Sequence, residues 1–361
     1  MNNLYVHFPF CRTKCSYCAL HSRGGTSPEV RAAYVRRLVG AVRRLVLTDL
    51  DTVYFGGGSP ALCNLEDVLD ALAPSVGPNT EFTVELHPLD VTEELMRTLR
   101  SGSVNRISLG VESLDDDILR QMRRGYDFVT AERAFALVRH HFENAGIDLI
   151  VGYPGDDLAL TDRHRRLADW GLRHCSVYSL IWEERSILSK WRDAGRLGTD
   201  PYGDDEIMDF LREMTAYLGG IGLERYEISN FAVSGFECRH NLAVWRGEDY
   251  VGLGEGAHGR IGRFRTCSHW GQSLSELRGL SPVESDGAET SVEAVSPELD
   301  ACERRLFRLR TNEGLDAAGF PRWRAPLDRF VDEGLLTREG EVYFLTDRGR
   351  EVCDTILAEL V

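Results

Sequence analysis

Between residues 3 and 182 the chain alternates short runs rich in β-branched and aromatic residues with longer segments of helical apolar spacing. Leu4 to Phe8, Thr52 to Phe55, Phe82 to Leu86, Ile107 to Val111, Ile147 to Val151 and Ser176 to Ile181 read as six strands. Between them, Pro28 to Leu47, Leu65 to Ala73, Thr92 to Leu99, Thr130 to Phe142 and Leu158 to Trp170 read as helices. Such alternation predicts an α/β fold of parallel βα units, because parallel strands need a crossover connection and its hand is nearly fixed. Six units make a partial (βα)6 barrel, open on one side. In barrels of this kind functional groups gather at the C-terminal ends of the strands.

The most informative motif follows the first strand at once: Cys11-Arg12-Thr13-Lys14-Cys15-Ser16-Tyr17-Cys18. Three thiols spaced in this way can close around one face of an iron–sulfur cube, leaving its fourth iron without a protein ligand. Soft thiolates favour Fe–S clusters or zinc, and a structural zinc site wants four protein ligands where this loop supplies three. A zinc site completed by His7 or His21, or reduced thiols with no metal, are the alternatives that spacing leaves open.

Composition narrows the function classes. The balance of 57 acidic against 42 basic residues gives a formal charge of −15, which repels a polyanion, so nucleic-acid binding is not expected. The N-terminus does not read as a signal peptide, and no apolar run approaches the roughly 18 residues a spanning helix needs. A soluble, cytoplasmic protein without stable membrane insertion is expected. Nine cysteines, six of them scattered singly, argue against a disulfide framework.

After Trp182 the pattern loosens, with a helix predicted over Glu206 to Leu218 and a glycine-rich run from Gly247 to Gly262. Residues 271–296, rich in Ser, Gly and acidic groups, read as a linker or surface excursion. A compact tail follows, with helices near Glu298 to Arg310 and Arg322 to Glu333, a hairpin over Leu335 to Thr346 and a last helix after Asp347. That order resembles a winged helix, to which the acidity of the chain assigns docking or a lid rather than DNA binding. The predicted organisation is a core over 1–182, an extension over 183–270, the linker and a C-terminal unit over 297–361.

Polar groups recur where the strands end. Phe55-Gly56-Gly57-Gly58-Ser59-Pro60 removes every Cβ over three residues, so backbone N–H and C=O groups can approach a ligand; a tight strand-to-helix turn uses the same residues. Glu85 closes the third strand, placed to accept hydrogen bonds from a ribose or an ammonium, or to remain a solvated acid. Glu112 closes the fourth, and Arg124 follows in a basic patch where its planar fork can clamp a carboxylate or simply end a helix. Asp148 lies within an apolar strand and needs a partner there, either an arginine or a ligand hydroxyl.

The segments YVHFPFCRTKCSYC, FGGGSP, RISLGVES, IDLIVGYP and YEISNFAVSGFECRHNLAVW together resemble the HemN/HemW branch of the radical SAM superfamily over roughly residues 3–260. This resemblance implies a partial, TIM-like (βα)6 barrel of the radical SAM type with a C-terminal α+β extension. It implies a [4Fe–4S] cluster on Cys11, Cys15 and Cys18, and S-adenosylmethionine held by Tyr5, Tyr17, Gly56, Gly57, Gly58, Ser59, Glu85, Glu112, Arg124 and Asp148. The branch contains oxygen-independent coproporphyrinogen oxidases, HemW-type heme chaperones and radical methyltransferases. Coproporphyrinogen oxidases carry a further cysteine where this chain has Leu20, which favours the HemW side.

The heme-associated motif of that side reads His240-Asn241-Leu242-Ala243-Val244-Trp245 here, implying heme as a further ligand, with His240 on iron and Trp245 stacked on the ring. A histidine that only hydrogen-bonds is the plain alternative. Glu112 stands where Gln is usual, Tyr126 where His is, Ser59 where Thr is, Val244 where Tyr is, and His87 belongs to another departure, Leu86-His87-Pro88. The implied functions are heme delivery to an acceptor protein or, alternatively, a radical enzyme acting on a small molecule.

Overall fold

The structure, a computed structural model, describes residues 2–45, 47–199, 201–269 and 289–361. All six expected strands are present: β1 (Asn3–Phe8), β2 (Leu50–Gly57), β3 (Val76–Leu86), β4 (Arg106–Glu112), β5 (Asn144–Val151) and β6 (His174–Ser179). Each runs parallel to the next, in sequence order. The intervening helices are Pro28–Arg44, Glu66–Leu72, Glu93–Ser101 and Phe128–His141, then the short Asp162–Arg166 with a 3-10 turn at Leu167–Trp170.

The two faces of this sheet differ because side chains alternate along a strand. Leu4, Val6, Phe8, Val53, Phe55, Phe82, Val84, Ile107 and Leu109 are buried in the large core beneath the helices. Tyr54, Glu85, Arg106, Ser108, Asp148, Ser176 and Tyr178 alternate with them and line a common cleft. The inside of the partial barrel is therefore polar and its outside apolar.

Three additions were not expected from the sequence. Helix Asp116–Gln121 starts where the Asp115 side chain accepts from the N–H groups of Asp117 and Ile118. Strand Val251–Leu253, inside the glycine-rich run, pairs parallel with β1 and extends the sheet. Strands Asn230–Ala232 and Glu224–Arg225 extend the other edge antiparallel to β6. The order runs from Val251–Leu253 at one edge to Glu224–Arg225 at the other, an open sheet.

Part of the stretch expected over 271–296 as a linker or surface excursion is a strand. Residues 289–294 form a strand on Phe264–His269, which pairs in turn with His258–Ile261. A run of Thr290 and Val292 among acidic and small residues satisfies its backbone in a ladder despite its polar composition. Residues 271–288 lie outside the described residues.

The C-terminal unit has a core of its own, built on Trp323, Leu327, Phe330, Tyr343 and Ile356. Helices Pro297–Leu306 and Pro321–Asp332 precede the hairpin Leu336–Glu339 and Val342–Leu345, and helices Asp347–Glu351 and Cys353–Ala358 close it. Its seam with the rest is charged: Arg246 pairs with Glu313, Arg304 with Asp249 and Arg212 with Glu351. Among the described residues, no helix is long and apolar enough to cross a membrane.

Candidate cofactor cleft

The cysteine loop leaves β1 at the rim of the cleft and is pinned at its middle. Ser16, fully buried, donates to Gln121 O at 3.1 Å and meets Tyr153 Oη at 2.9 Å, while its N–H reaches Met122 O at 3.1 Å. Leu188 N–H donates to Ser16 O at 2.7 Å. Helix Ile187–Asp193 and the turn after Asp116–Gln121 thus fix the loop between its second and third thiols. Cys11, Cys15 and Cys18 all line the cleft, and all nine cysteines of the chain are free thiols.

Arg124 joins the loop to β4. Its Nη1 lies 3.4 Å from Cys15 Sγ, its Nη2 donates to Gly110 O at 2.5 Å and its Nε to Tyr126 Oη at 3.0 Å. Glu112 Oε1 stands 3.6 Å from Nη2. Glu112 has a left-handed backbone, φ +68°, at a register shift between β4 and β5, so a bulge turns its side chain into the cleft. Gly110 makes this possible, since a Cβ there would come within 2.7 Å of Glu112 Oε1. Tyr17 reaches the same carboxylate, which burial holds above its ordinary range.

Glu85 accepts from Tyr54 Oη at 2.7 Å and from Gly57 N–H at 3.2 Å. Burial and the nearby Asp148 push its carboxyl up to about 7. Asp148 is raised by burial too, and its partner is neither an arginine nor open space: Ser108 Oγ lies 3.0 and 3.2 Å from its two oxygens, and Ser176 also hydrogen-bonds it.

The glycine turn behaves differently from the expectation. A Cβ on Gly57 would meet the His7 ring at 2.5 Å and one on Gly58 would meet Phe10 O at 2.3 Å, so both positions require glycine for packing. The N–H groups of Gly57, Gly58 and Ser59 are taken by Glu85, Phe8 O and Phe10 O. What the turn can still offer a ligand is carbonyl oxygen. Ser59 donates to Asp90, which also holds Arg12, and is buried behind the cleft wall, whereas Gly56 lies against the cleft-lining Tyr54 and Glu85, where a Cβ would come within 2.9 Å of Glu85 Oε2. Tyr5 Oη is engaged by His7 Nδ1 at 2.9 Å.

His240 is also behind the wall. It is buried in helix Arg239–Trp245, its Nδ1 is 2.7 Å from Thr52 Oγ1, and its N–H donates to Glu81. Burial and Arg106 push its imidazole down to about 4. The neighbouring Asn241 is the residue of this motif that lines the cleft. Trp245 is half-buried at the seam, 4.8 Å from the Arg310 guanidinium and 6.4 Å from the Phe307 ring.

Tyr54, Arg106, Ser108, Ser176 and Tyr178 line the cleft and were not singled out from the sequence. Period-two alternation in the strands was the available signal, since each sits one position from a core residue.

The radical SAM superfamily model matches residues 5–168. The chain is 29% identical to the heme chaperone HemW of Bacillus subtilis (strain 168), over 100% of both chains. It is 30% identical to the heme chaperone HemW of Mycobacterium tuberculosis (strain ATCC 25618 / H37Rv), covering 99% of this chain and 94% of that one. The chain belongs to the HemW family of radical SAM proteins. Among solved structures, coproporphyrinogen III oxidase (HemN) from Escherichia coli superposes with a TM-score of 0.81 at 20% identity, over 99% of this chain and 89% of that one, which establishes the fold.

Membership of the radical SAM superfamily implies a [4Fe–4S] cluster and S-adenosylmethionine. As they stand, no three His, Cys, Asp or Glu side chains among the described residues converge closely enough to hold a single metal ion. The donor set nevertheless suits a cluster: three free thiols share one wall of an open cleft, and the Arg124 guanidinium lies 3.4 Å from Cys15 Sγ. The same cleft holds three half-buried carboxylates, Glu85, Glu112 and Asp148, and the guanidiniums of Arg106 and Arg124. That mixture fits a zwitterionic, ribose-bearing ligand.

Proposed function

We propose that this HemW-family protein is a cytoplasmic heme-binding chaperone that passes heme to an acceptor protein and carries the cluster and S-adenosylmethionine as resident cofactors. The observation that carries this reading is that the similarity to HemW proteins runs end to end, through the C-terminal unit as well as the barrel. When bound, the cluster supplies one-electron chemistry at an iron open to the ligand.

In this reading Cys11, Cys15 and Cys18 hold the cluster, and Arg124 orients Cys15. The Gly57–Gly58 turn and Glu85 receive the ammonium of the cofactor, consistent with the turn's spent N–H groups and the raised affinity of Glu85 for a proton. Glu112, Arg124, Tyr17 and Asp148 take its remaining polar groups. Tyr5 and Gly56, beside Tyr54 and Glu85, shape that part of the cleft, and Ser59 supports it through Asp90. Residues 1–182 form the cofactor core, while 183–270 and 297–361 serve as lid and docking surface for the acceptor.

Heme ligation by His240 would use Nε2, since Thr52 engages Nδ1 and fixes the ring. Because His240 is buried, iron reaches it only after helix Arg239–Trp245 shifts.

The test is anaerobic reconstitution followed by heme titration. A Soret band that weakens at least about tenfold in affinity for His240→Ala, with transfer of heme to an apo-acceptor, is the expected result. Substrate-dependent 5′-deoxyadenosine formation without heme transfer overturns the reading in favour of a radical enzyme.

A further inference from the structure

Behind the barrel, a second cavity of about 260 Å³ lies between β6 and helix Asp204–Gly220 on one side and the C-terminal unit on the other. β6 separates it from the cofactor cleft, giving Ser176 and Tyr178 to the cleft and Val177 and Ser179 to this cavity. Three arginines from three segments reach it: Arg225, Arg310 and Arg350.

Among the described residues, direct ion pairing reaches only one of the three. Arg225 donates from both Nε and Nη2 to Ile228 O and from Nε to Glu227 O at 3.3 Å, and lies 5.7 Å from the Phe231 ring. Arg350 donates from Nη2 to Asn312 Oδ1 at 2.6 Å, and its Nη1 is buried without a partner. Arg310 pairs with Asp354 at 2.8 Å, and its Nε is likewise buried and unpartnered.

Of the carboxylates nearby, Asp347 acts on Arg225 and Arg350 only from beyond ion-pairing distance, and the others are engaged elsewhere. Glu351 is held by Arg212 through two bonds of 2.7 and 2.8 Å, Asp354 is largely exposed, and Glu227 Oε1 accepts from Ser229 N–H and Asn230 Nδ2. Among the described residues, no carboxylate lies within ion-pairing distance of Arg225 or Arg350. Burial lowers the proton affinity of both guanidiniums, and Arg350 lowers that of Arg225 further, to about 10. Two partly buried cations that repel each other, one of them with a buried N–H left unpartnered, are costly without a close counter-charge.

We propose that the seam cavity is a binding site for an oxyanion carried on an apolar body, with its carboxylate or phosphate head between Arg225 and Arg350. Planar guanidiniums match such heads in fork geometry. Val177, Met208, Leu211 and Phe231 supply the apolar walls, which suit an organic carboxylate better than a free inorganic ion. The site depends on neither the cluster nor heme.

The experiment uses the full chain and reads thermal unfolding and calorimetric titration with hexanoate, inorganic phosphate and hexanol at constant ionic strength. Hexanoate should bind saturably and raise the midpoint, phosphate should do so more weakly, and hexanol should do neither. Phosphate binding better than hexanoate would reassign the ligand to a free phosphate and remove the apolar part of the proposal. Arg350→Gln and Arg225→Gln should each weaken hexanoate about tenfold or more, the loss of one charge-assisted contact. Arg350→Lys keeps the charge without the fork, so it stays folded and should fall between wild type and Arg350→Gln. No saturable response in wild type, or equal responses in wild type and all variants, overturns the site.

Discussion

The cofactor cleft and the seam cavity lie on opposite faces of β6, yet they treat buried charge in opposite ways. In the cleft, burial raises the carboxyls of Glu85, Glu112 and Asp148, and each has a hydrogen-bonding partner in a tyrosine or serine hydroxyl. At the seam, burial lowers the guanidiniums of Arg225 and Arg350, which find two backbone carbonyls and one amide oxygen but, among the described residues, no carboxylate within ion-pairing distance. The cleft is electrostatically nearly complete and needs its ligand for chemistry. The seam is incomplete and needs a ligand for balance. Neither set of charges is there chiefly for stability, since a buried ion pair gains little over apolar packing.

The largest effect separates the two sites outright. Replacing Cys11, Cys15 or Cys18 by Ala should abolish iron incorporation and brown absorbance after anaerobic reconstitution. Hexanoate binding at the seam, which shares no residue with the loop, should be unchanged. If iron loading survives all three single substitutions, the loop is not the cluster site.

Next comes stability. Arg106 is almost wholly buried, standing near Glu81, Tyr54 and Tyr226, while Glu81 accepts from the N–H groups of Arg239 and His240. Arg106→Leu removes the cation that compensates Glu81 and should cost about 3 kcal/mol or more in denaturant unfolding. Arg350→Leu removes a repelled cation instead, and should stay within about 1 kcal/mol of wild type when no anion is present. Equal losses in the two variants would break the contrast.

A pH series sharpens the cleft side. Glu85, pushed up to about 7 from an ordinary 4.5, is largely protonated in the ligand-free fold below neutrality. It binds a proton more tightly folded than unfolded, so its contribution to stability is fully present below pH 4.5 and is lost as pH rises through about 7. An ammonium requires the ionised form. S-adenosylmethionine affinity should therefore rise with pH up to about 7, at up to about tenfold per pH unit below it, and Glu85→Gln should flatten the profile. A profile unchanged in that variant would remove Glu85 from ammonium recognition.

Much of the barrel was legible because each strand combines a buried, β-branched face with turn residues at its end, as in Val53 and Phe55 before the three glycines. The strand Val251–Leu253 was not, because its register on β1 is fixed by close packing of glycines: a Cβ on Gly252 would come within 2.1 Å of His258 O. The cysteine loop and the acids at strand ends were readable as chemistry. Their partners were not: Ser108 reaches Asp148 across neighbouring strands, and Arg124 reaches Cys15 across 109 residues of chain. The burial of His240 was hidden for the same reason, as Thr52 and Glu81 come from distant strands. The seam arginines left no trace in the sequence, because three scattered cations in an acidic chain read as solvated surface.

The smallest effect asks whether a buried carboxylate at the cleft's rim has more partners than it needs. Asp90 is buried, accepts from Arg12 Nε at 2.6 Å and takes the hydroxyl of Ser59 on its other oxygen. Removing that hydroxyl with Ser59→Ala leaves the arginine in place, so the loss should be about 1 kcal/mol in urea unfolding, the net value of one hydrogen bond. Ser59→Thr keeps the oxygen and should be nearly neutral if the wall has room for a methyl. A loss of about 3 kcal/mol or more for Ser59→Ala would mean that Arg12, half exposed on its own side, does not hold Asp90 alone. The rim would then resemble the seam, where one missing partner leaves a buried charge without balance.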